Sequence, residues 1–351
     1  MNILTDYDYD VVIVGAGTAG LSAGVELEKS GISYIILDKK QEIGMPVRST
    51  GAVSLEWVKK IGMPTDSKII SANIENMSFR TESGKRIDLK FQRTVGLVYD
   101  FTKYEKYLAD EFAGKKLNIR LGTRVNDVTG NQVITDSGTY TGKYIIYAAG
   151  PQSKFGEKLG KNDVLVAYEE IRRVPMRKDF QMILWFSDRV PGGYLWDFSE
   201  SENSRKIGVC FYPGSGKQPR DVLYEFDRIY PELKGDIIST MAHQIPLSKP
   251  VDRVVRNNYL YTGDMVNAVL NTTAGGLQGA FWTGQLAAKS IINNNPDEYQ
   301  QNWESYVKPW LMKHYELHRK MNRKGEKSIG RLISVARMMP KSLQKRVFAG
   351  L

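Results

Sequence analysis

The chain has 351 residues, room for two domains or one with an insertion, and its single cysteine, Cys210, excludes a disulfide framework, a four-cysteine zinc site and a self-contained iron–sulfur cluster. The formal charge of +10 is uneven: Lys308 to Leu351 holds twelve Lys and Arg against Glu316 and Glu326, and the other 307 residues are balanced. The longest nearly uncharged stretch, Val11 to Val25, is too short and too glycine-rich to cross a bilayer, and a strand starting by residue 9 leaves no room for a leader, so a cytoplasmic protein is expected.

Tyr9 to Asp38 reads as strand, glycine turn, helix, strand and acid. Val11 to Val14 is a β-branched run of the kind found in buried parallel strands. It leads into Gly15-Ala16-Gly17-Thr18-Ala19-Gly20, a full G-x-G-x-x-G. Gly15 permits the tight turn, Gly17 lets backbone approach a pyrophosphate, and Gly20 lets the next helix lie close on the strand. That helix should run to about Ser30 and stop at Gly31; Tyr34 to Leu37 then carry Asp38 to a ribose hydroxyl. Lys39 follows, and Ile43 to Ser54 is a Gly- and Pro-bearing loop in which Arg48 is placed to pair with phosphate.

Further along, Ser71 to Leu89 predicts two strands about the turn Glu82 to Lys85, and Phe101 to Phe112 an amphipathic helix. Asn118 to Leu121, Val125 to Val128 and Val133 to Thr135 read as a meander; Lys143 to Tyr147 reads as a buried strand ending in Ala148-Ala149-Gly150, where a cofactor can come close. From about Lys161 to Pro250 aromatic-rich strands dominate. Gln181 to Phe186, Gly193 to Phe198 and Lys206 to Tyr212 should be antiparallel neighbours, and period two puts Tyr194, Trp196 and Phe198 on one face, as core or as the wall of an apolar pocket. A later strand delivers Gly263-Asp264, and Gly275-Gly276 opens an apolar helix running to Ile292 whose N-terminus suits a flavin.

In the basic tail Ile329, Leu332, Ile333, Val335, Ala336, Met338 and Met339, then Leu343, Val347 and Phe348 after Pro340, recur among the cations. Two readings stand: a helical subdomain packed on its own protein, or an amphipathic surface for anionic membrane rather than nucleic acid. His314 and His318 are four apart but lack a third ligand, so no metal is expected, and Gly214-Ser215-Gly216-Lys217 reads as a turn rather than a phosphate loop.

Together these residues resemble the aromatic-hydroxylase-like flavoproteins and, within them, the geranylgeranyl reductase family, over roughly residues 9 to 300. The most specific support is Tyr194-x-Trp196-x-Phe198 followed by Gly208-Val209-Cys210. The chain departs from the family in having Ser199 for a proline, Cys210 for the second glycine, no cysteine at Ser49 or Thr50, and no proline before Gly275-Gly276. The resemblance implies an α/β architecture. Residues 1–160 and 251–300 would form a discontinuous Rossmann-like FAD domain, 161–250 an antiparallel substrate sheet joined by 71–95, and 301–351 a basic helical segment. FAD would contact Gly15, Ala16, Gly17, Ala19, Gly20, Asp38, Lys39, Arg48, Thr50, Gly51, Val125, Ala149, Gly150, Gly263, Asp264, Gly275 and Gly276. Tyr194, Trp196 and Phe198 would line an isoprenoid pocket, where reduced flavin hydrogenates prenyl C=C bonds. An aromatic monooxygenase and a non-catalytic flavin-binding membrane protein are the alternatives. No second dinucleotide motif is evident, which leaves ferredoxin, NAD(P)H or a reduced quinone as electron donor. Peripheral attachment to the inner face of the membrane would follow from the tail.

Overall fold

A computed structural model describes residues 7–155, 163–214, 216–322 and 324–349, with side chains described to residue 345. The strand Tyr9–Val14 is parallel to Thr139–Tyr147 on one side and to Tyr34–Leu37 on the other. Its residues Val11, Val12 and Ile13 are fully buried, which accounts for the unbroken apolar run. Ile119–Arg120 extends the sheet beyond Tyr34–Leu37, and Tyr259–Tyr261 with Val255–Arg256 extends it beyond Thr139–Tyr147. The glycine-turn helix, Thr18–Ser30, ends at Gly31 with φ 69°, where the backbone turns left-handed.

A second, seven-stranded sheet runs in the order Asp236–Pro246, Val164–Arg173, Ser204–Phe211, Tyr194–Ser201, Met182–Phe186, Asn76–Thr81, Arg86–Lys90. One face packs Ile183, Leu195, Ile207 and Val209 on Val222, Leu223 and Phe226 of the helix Pro219–Ile229. The other face carries Trp196 and Phe198, with the half-buried Tyr194 packed against them, and is covered by Ile329, Ile333 and Ala336 of the helix Glu326–Met338. The predicted period-two face is real, and a helix lies on it. A three-stranded sheet, Ala52–Ser54, Gly96–Tyr99 and Ile70–Ile74, stands between the two larger ones.

Several expectations are corrected. Ser71 to Leu89 is divided among three strands, and the first, Ile70–Ile74, pairs in the small sheet while the other two join the seven-stranded one. Ile119–Arg120 is not part of the meander; it pairs parallel with Tyr34–Leu37. The meander is completed by Thr139–Tyr147, which pairs antiparallel with Gln132–Thr135 in its first half and parallel with Tyr9–Val14 throughout its second. The helix at Phe101 stops at Asp110, capped at its start by the Asp100 side chain. Among the described residues no helix is long and apolar enough to cross a membrane.

Candidate functional site

Gly15 has φ 110°, and a Cβ there would sit 2.7 Å from the Ala148 carbonyl carbon, so the turn presses against the end of the neighbouring strand. A Cβ at Gly20 would lie 3.0 Å from the Gly15 carbonyl carbon. At Gly17 the nearest atom to a Cβ would be Glu105 Oε1 at 3.9 Å, and at Gly150 nothing would lie within 4 Å. The helix therefore begins with uncapped backbone amides, no acid in its first turn, and open space beside them. This cradle fits a dinucleotide pyrophosphate.

The late motif closes on the same place. Gly284 of the helix Leu277–Ile292 has no room for a side chain against Ala19 and Ser22, and the Ser22 hydroxyl donates to the Phe281 carbonyl at 2.9 Å. A Cβ on Gly263 (φ 64°) would stand 3.1 Å from that of Ala19, and the Gly263 amide donates to Thr283. Asp264 Oδ1 is 3.3 Å from where a Cβ on Gly276 would be, and burial lifts its carboxyl to about 6. Residues from the two ends of the chain, Ala19, Gly263, Asp264 and Gly276, thus share one surface.

Asp38 accepts from the Ala16 amide at 2.6 Å and the Lys40 amide at 2.9 Å, which fixes the acid at the mouth of the turn. Lys39 is exposed; Lys40 instead reaches inward to Glu105 at 3.3 Å. Glu105 is buried and also accepts from the Thr18 hydroxyl; burial raises its carboxyl above the usual range, opposed by Lys40 and Thr18. Val125 packs in the cluster behind Val12, Val14 and Met265, and the Ala149 amide lies 3.3 Å from Met265 Sδ. Arg48 faces His243, whose ring is held near 4 by burial first and Arg48 second. His314 and His318 are bound to different partners, the Thr272 hydroxyl and the Gly192 carbonyl.

The loop at Thr50 is tied to the aromatic strand. Gly208 lies in register between Trp196 and Glu169, and its lack of a side chain lets the Trp196 ring lie across it. Trp196 Nε1 then donates to Glu169 Oε2 at 2.8 Å, and the Thr50 hydroxyl donates to the same oxygen at 2.7 Å. Lys206, also buried, donates to the Thr50 and Tyr99 carbonyls at 2.9 Å each and pairs with Glu200 at 2.8 Å. Gly51 has φ 85°, and its carbonyl accepts from the Tyr99 amide. Tyr194 donates through its hydroxyl to the Thr273 carbonyl, two residues before Gly275, and Cys210 sits beside it, its thiol pushed up to about 12 by burial. Glu105, Glu169 and Lys206 were not anticipated. Each stands among other charges in its element, and only tertiary contact shows that it is the one turned into the protein.

Residues 8–179 match the family model for an FAD binding domain. The chain is 27% identical to digeranylgeranylglycerophospholipid reductase of Methanococcus aeolicus, over 95% of this chain and 91% of that one. In fold it is similar to a geranylgeranyl bacteriochlorophyll reductase-like protein from Thermoplasma acidophilum, with a TM-score of 0.83, 21% identity, and 94% and 92% of the two chains covered. It is also similar to p-nitrophenol 4-monooxygenase of Pseudomonas putida, with a TM-score of 0.72 and 14% identity over 97% and 96%. The protein is an FAD-dependent oxidoreductase. Its relatives over nearly the whole length carry the reductase name, and among the flavoproteins of this fold the chain is geranylgeranyl reductase-like.

Proposed function

We propose that the protein hydrogenates C=C bonds of geranylgeranyl chains carried by a lipid. The carrying observation is the tie between the aromatic strand and the cofactor loops: the half-buried Tyr194 bonds Thr273, two residues before Gly275, and Trp196, itself buried with Phe198 under the helix Glu326–Met338, shares Glu169 with Thr50. The names of the full-length relatives support the same substrate class. Bound FAD in its reduced form supplies the hydride. The protein must then dry the alkene, hold it, and stabilise the cationic character that an unactivated double bond acquires on protonation. Of the three aromatics Tyr194 is the one left half-buried and so able to meet a substrate, while Trp196 and Phe198 back it from the core.

The test is anaerobic. Protein with dithionite-reduced FAD is mixed with a geranylgeranyl lipid in detergent, and the product is weighed by mass spectrometry. Reoxidation with a gain of two hydrogens per bond supports the reading; a flavin that stays reduced until oxygen enters points to a monooxygenase.

The C-terminal helix supports a membrane partner for this reaction. Ile329, Ile333 and Ala336 face the protein, whereas Leu332, Val335 and Met338 are 45%, 54% and 86% exposed, beside exposed Lys327, Arg331 and Arg337. Val347 and Phe348 lie outside the residues whose side chains are described. The helix thus has one apolar side for its own sheet and a second for an anionic lipid surface, where each cation near the surface contributes about 1 kcal/mol. Binding to phosphatidylglycerol vesicles that weakens with salt and falls on Val335→Asp supports docking; equal recovery of both proteins in the supernatant refutes it.

A further inference from the structure

The reaction proposed above needs a proton as well as a hydride, and the structure holds an unassigned group suited to store it. Glu169 is 2% exposed, in the middle of the strand Val164–Arg173, with Oε2 shared between the Thr50 hydroxyl and the Trp196 indole. Among the described residues the buried ammonium beside it is that of Lys206, which is committed to two carbonyls and to Glu200. Lys206 and the more exposed Lys103 thus stand with three carboxyls, Glu169, Glu200 and Asp100; Lys206 pairs with Glu200 and Lys103 with Asp100, which leaves Glu169 without a cation in direct contact. A carboxylate left without its own cation in a dry site is strongly disfavoured, and a carboxylic acid is the neutral alternative.

We propose that Glu169 is the proton reservoir of the reduction, and that it passes its proton through the Thr50 hydroxyl to the alkene. The reading rests on the prenyl-reductase assignment. In the step, the C=C π bond breaks while one carbon takes the proton of the Thr50 O–H. The other carbon takes the hydride supplied by reduced flavin, which is oxidised by two electrons. In the acid form the bond reverses: the Glu169 carboxyl donates to Thr50 over the 2.7 Å contact and returns the proton that Thr50 has given up, and the resulting carboxylate, to which the Thr50 hydroxyl then donates, is reprotonated from water. Thr50 is the catalytic group; Glu169 acts through it and is a positioning residue. The indole of Trp196 stays on Oε2 in either protonation state, which keeps the carboxyl aimed at Thr50 while it loses and regains the proton.

Charged neighbours set the direction of the pH response. Lys206 favours the carboxylate and Glu200 opposes it, with burial the largest influence and toward the acid form. On the neighbouring strand Asp236–Pro246, His243 stands opposite Ala167, two residues from Glu169, and its own charge is opposed by Arg48 of the Ile43–Ser54 loop.

The test compares wild type with Glu169→Gln, Thr50→Val and Thr50→Ser. Infrared difference spectra between wild type and Glu169→Gln at neutral pH should contain a carboxylic-acid C=O stretch, whatever the substrate. Reoxidation of reduced FAD by the prenyl lipid should fall about 100- to 10,000-fold in Glu169→Gln and Thr50→Val, and be largely restored in Thr50→Ser. Wild-type kcat/KM should decline as pH rises through the titration of the acid band, and that limb should vanish in Glu169→Gln. Absence of the acid band, or a Glu169→Gln variant with wild-type rate and pH profile, overturns the proposal. A wild type that shows the band yet reduces no prenyl lipid overturns the prenyl-reductase reading and this proposal with it.

Discussion

Gly208→Ala tests the join between the aromatic strand and the buried carboxyl. A Cβ at Gly208 would stand 2.6 Å from both Trp196 Cε2 and the Tyr168 carbonyl oxygen. The backbone oxygen is held in the sheet by the strand pairing, so the indole must give way. Overpacking of this kind costs about 1–3 kcal/mol. A displaced indole also loses its bond to Glu169, and an unmade bond to a buried carboxyl adds about 1–3 kcal/mol. With an unfolding entropy of about 2.1 cal/mol/K per residue, a chain this long loses roughly 3–8 °C in Tm for a total of about 2–6 kcal/mol. Calorimetry on the FAD-loaded protein gives the shift, and tryptophan emission reports the altered surroundings of Trp196. Gly214→Ala, where a Cβ would meet nothing within 4 Å, should change Tm by less than about 1 °C. A Gly208→Ala protein that melts with wild type and keeps its emission spectrum would refute the packing argument.

Gly20→Ala should purify without FAD, seen as loss of the yellow absorbance, because its methyl would lie within contact of the Gly15 backbone and spread the turn. Asp264 has a folded pKa of about 6 against an ordinary 3.8. The native state therefore binds the proton more tightly, so the stability this gives is present at low pH and is lost as pH rises through about 6. The loss approaches about 3 kcal/mol. Between about pH 4 and 6 the Asp264→Asn apoprotein should show a shallower fall in denaturation midpoint than wild type, what remains coming from the raised Glu105 and Glu169 carboxyls, and it should bind FAD less well; an unchanged decline would refute the assignment. Lys206→Met removes the ammonium that ties Thr50 and Tyr99 to the sheet, and should make the Arg48–Gly51 loop the first site of limited proteolysis.

The cofactor half was legible because its chemistry is local. A glycine turn, the helix behind it and Asp38 lie within thirty residues, and each glycine has one steric reason. The seven-stranded sheet was legible only in part. Met182–Phe186, Tyr194–Ser201 and Ser204–Phe211 each carry an apolar or aromatic run, but their neighbour Val164–Arg173 carries Glu169, Glu170 and Arg172 at buried positions. Those charges hide the strand from any pattern of hydrophobicity; they are tolerated because Arg172 pairs with Glu170 at 2.7 Å and Asp227 at 2.6 Å, and Glu169 takes Thr50 and Trp196. Ile119–Arg120 was misassigned because two residues carry no period at all, and only their parallel pairing places them. In the tail, periodicity identified an amphipathic helix without saying which apolar side the protein covers. That depended on the sheet already displaying Trp196 and Phe198.

The bond from Ser22 to Phe281 spans 259 positions. A ribosome adding about 5–20 residues per second needs roughly 13–50 s to cover that distance. During that time the inner side of the first helix, from Ala19 to Ser22, has emerged but has nothing to lie on. The parallel edge of Thr139–Tyr147 that receives Tyr259–Tyr261 is open for rather less than half as long. The nascent chain thus carries an uncovered helix through most of its synthesis and an unpaired sheet edge through about a third of it. Holding those surfaces apart until residue 292 appears is a demand placed on the cell, not on the finished protein.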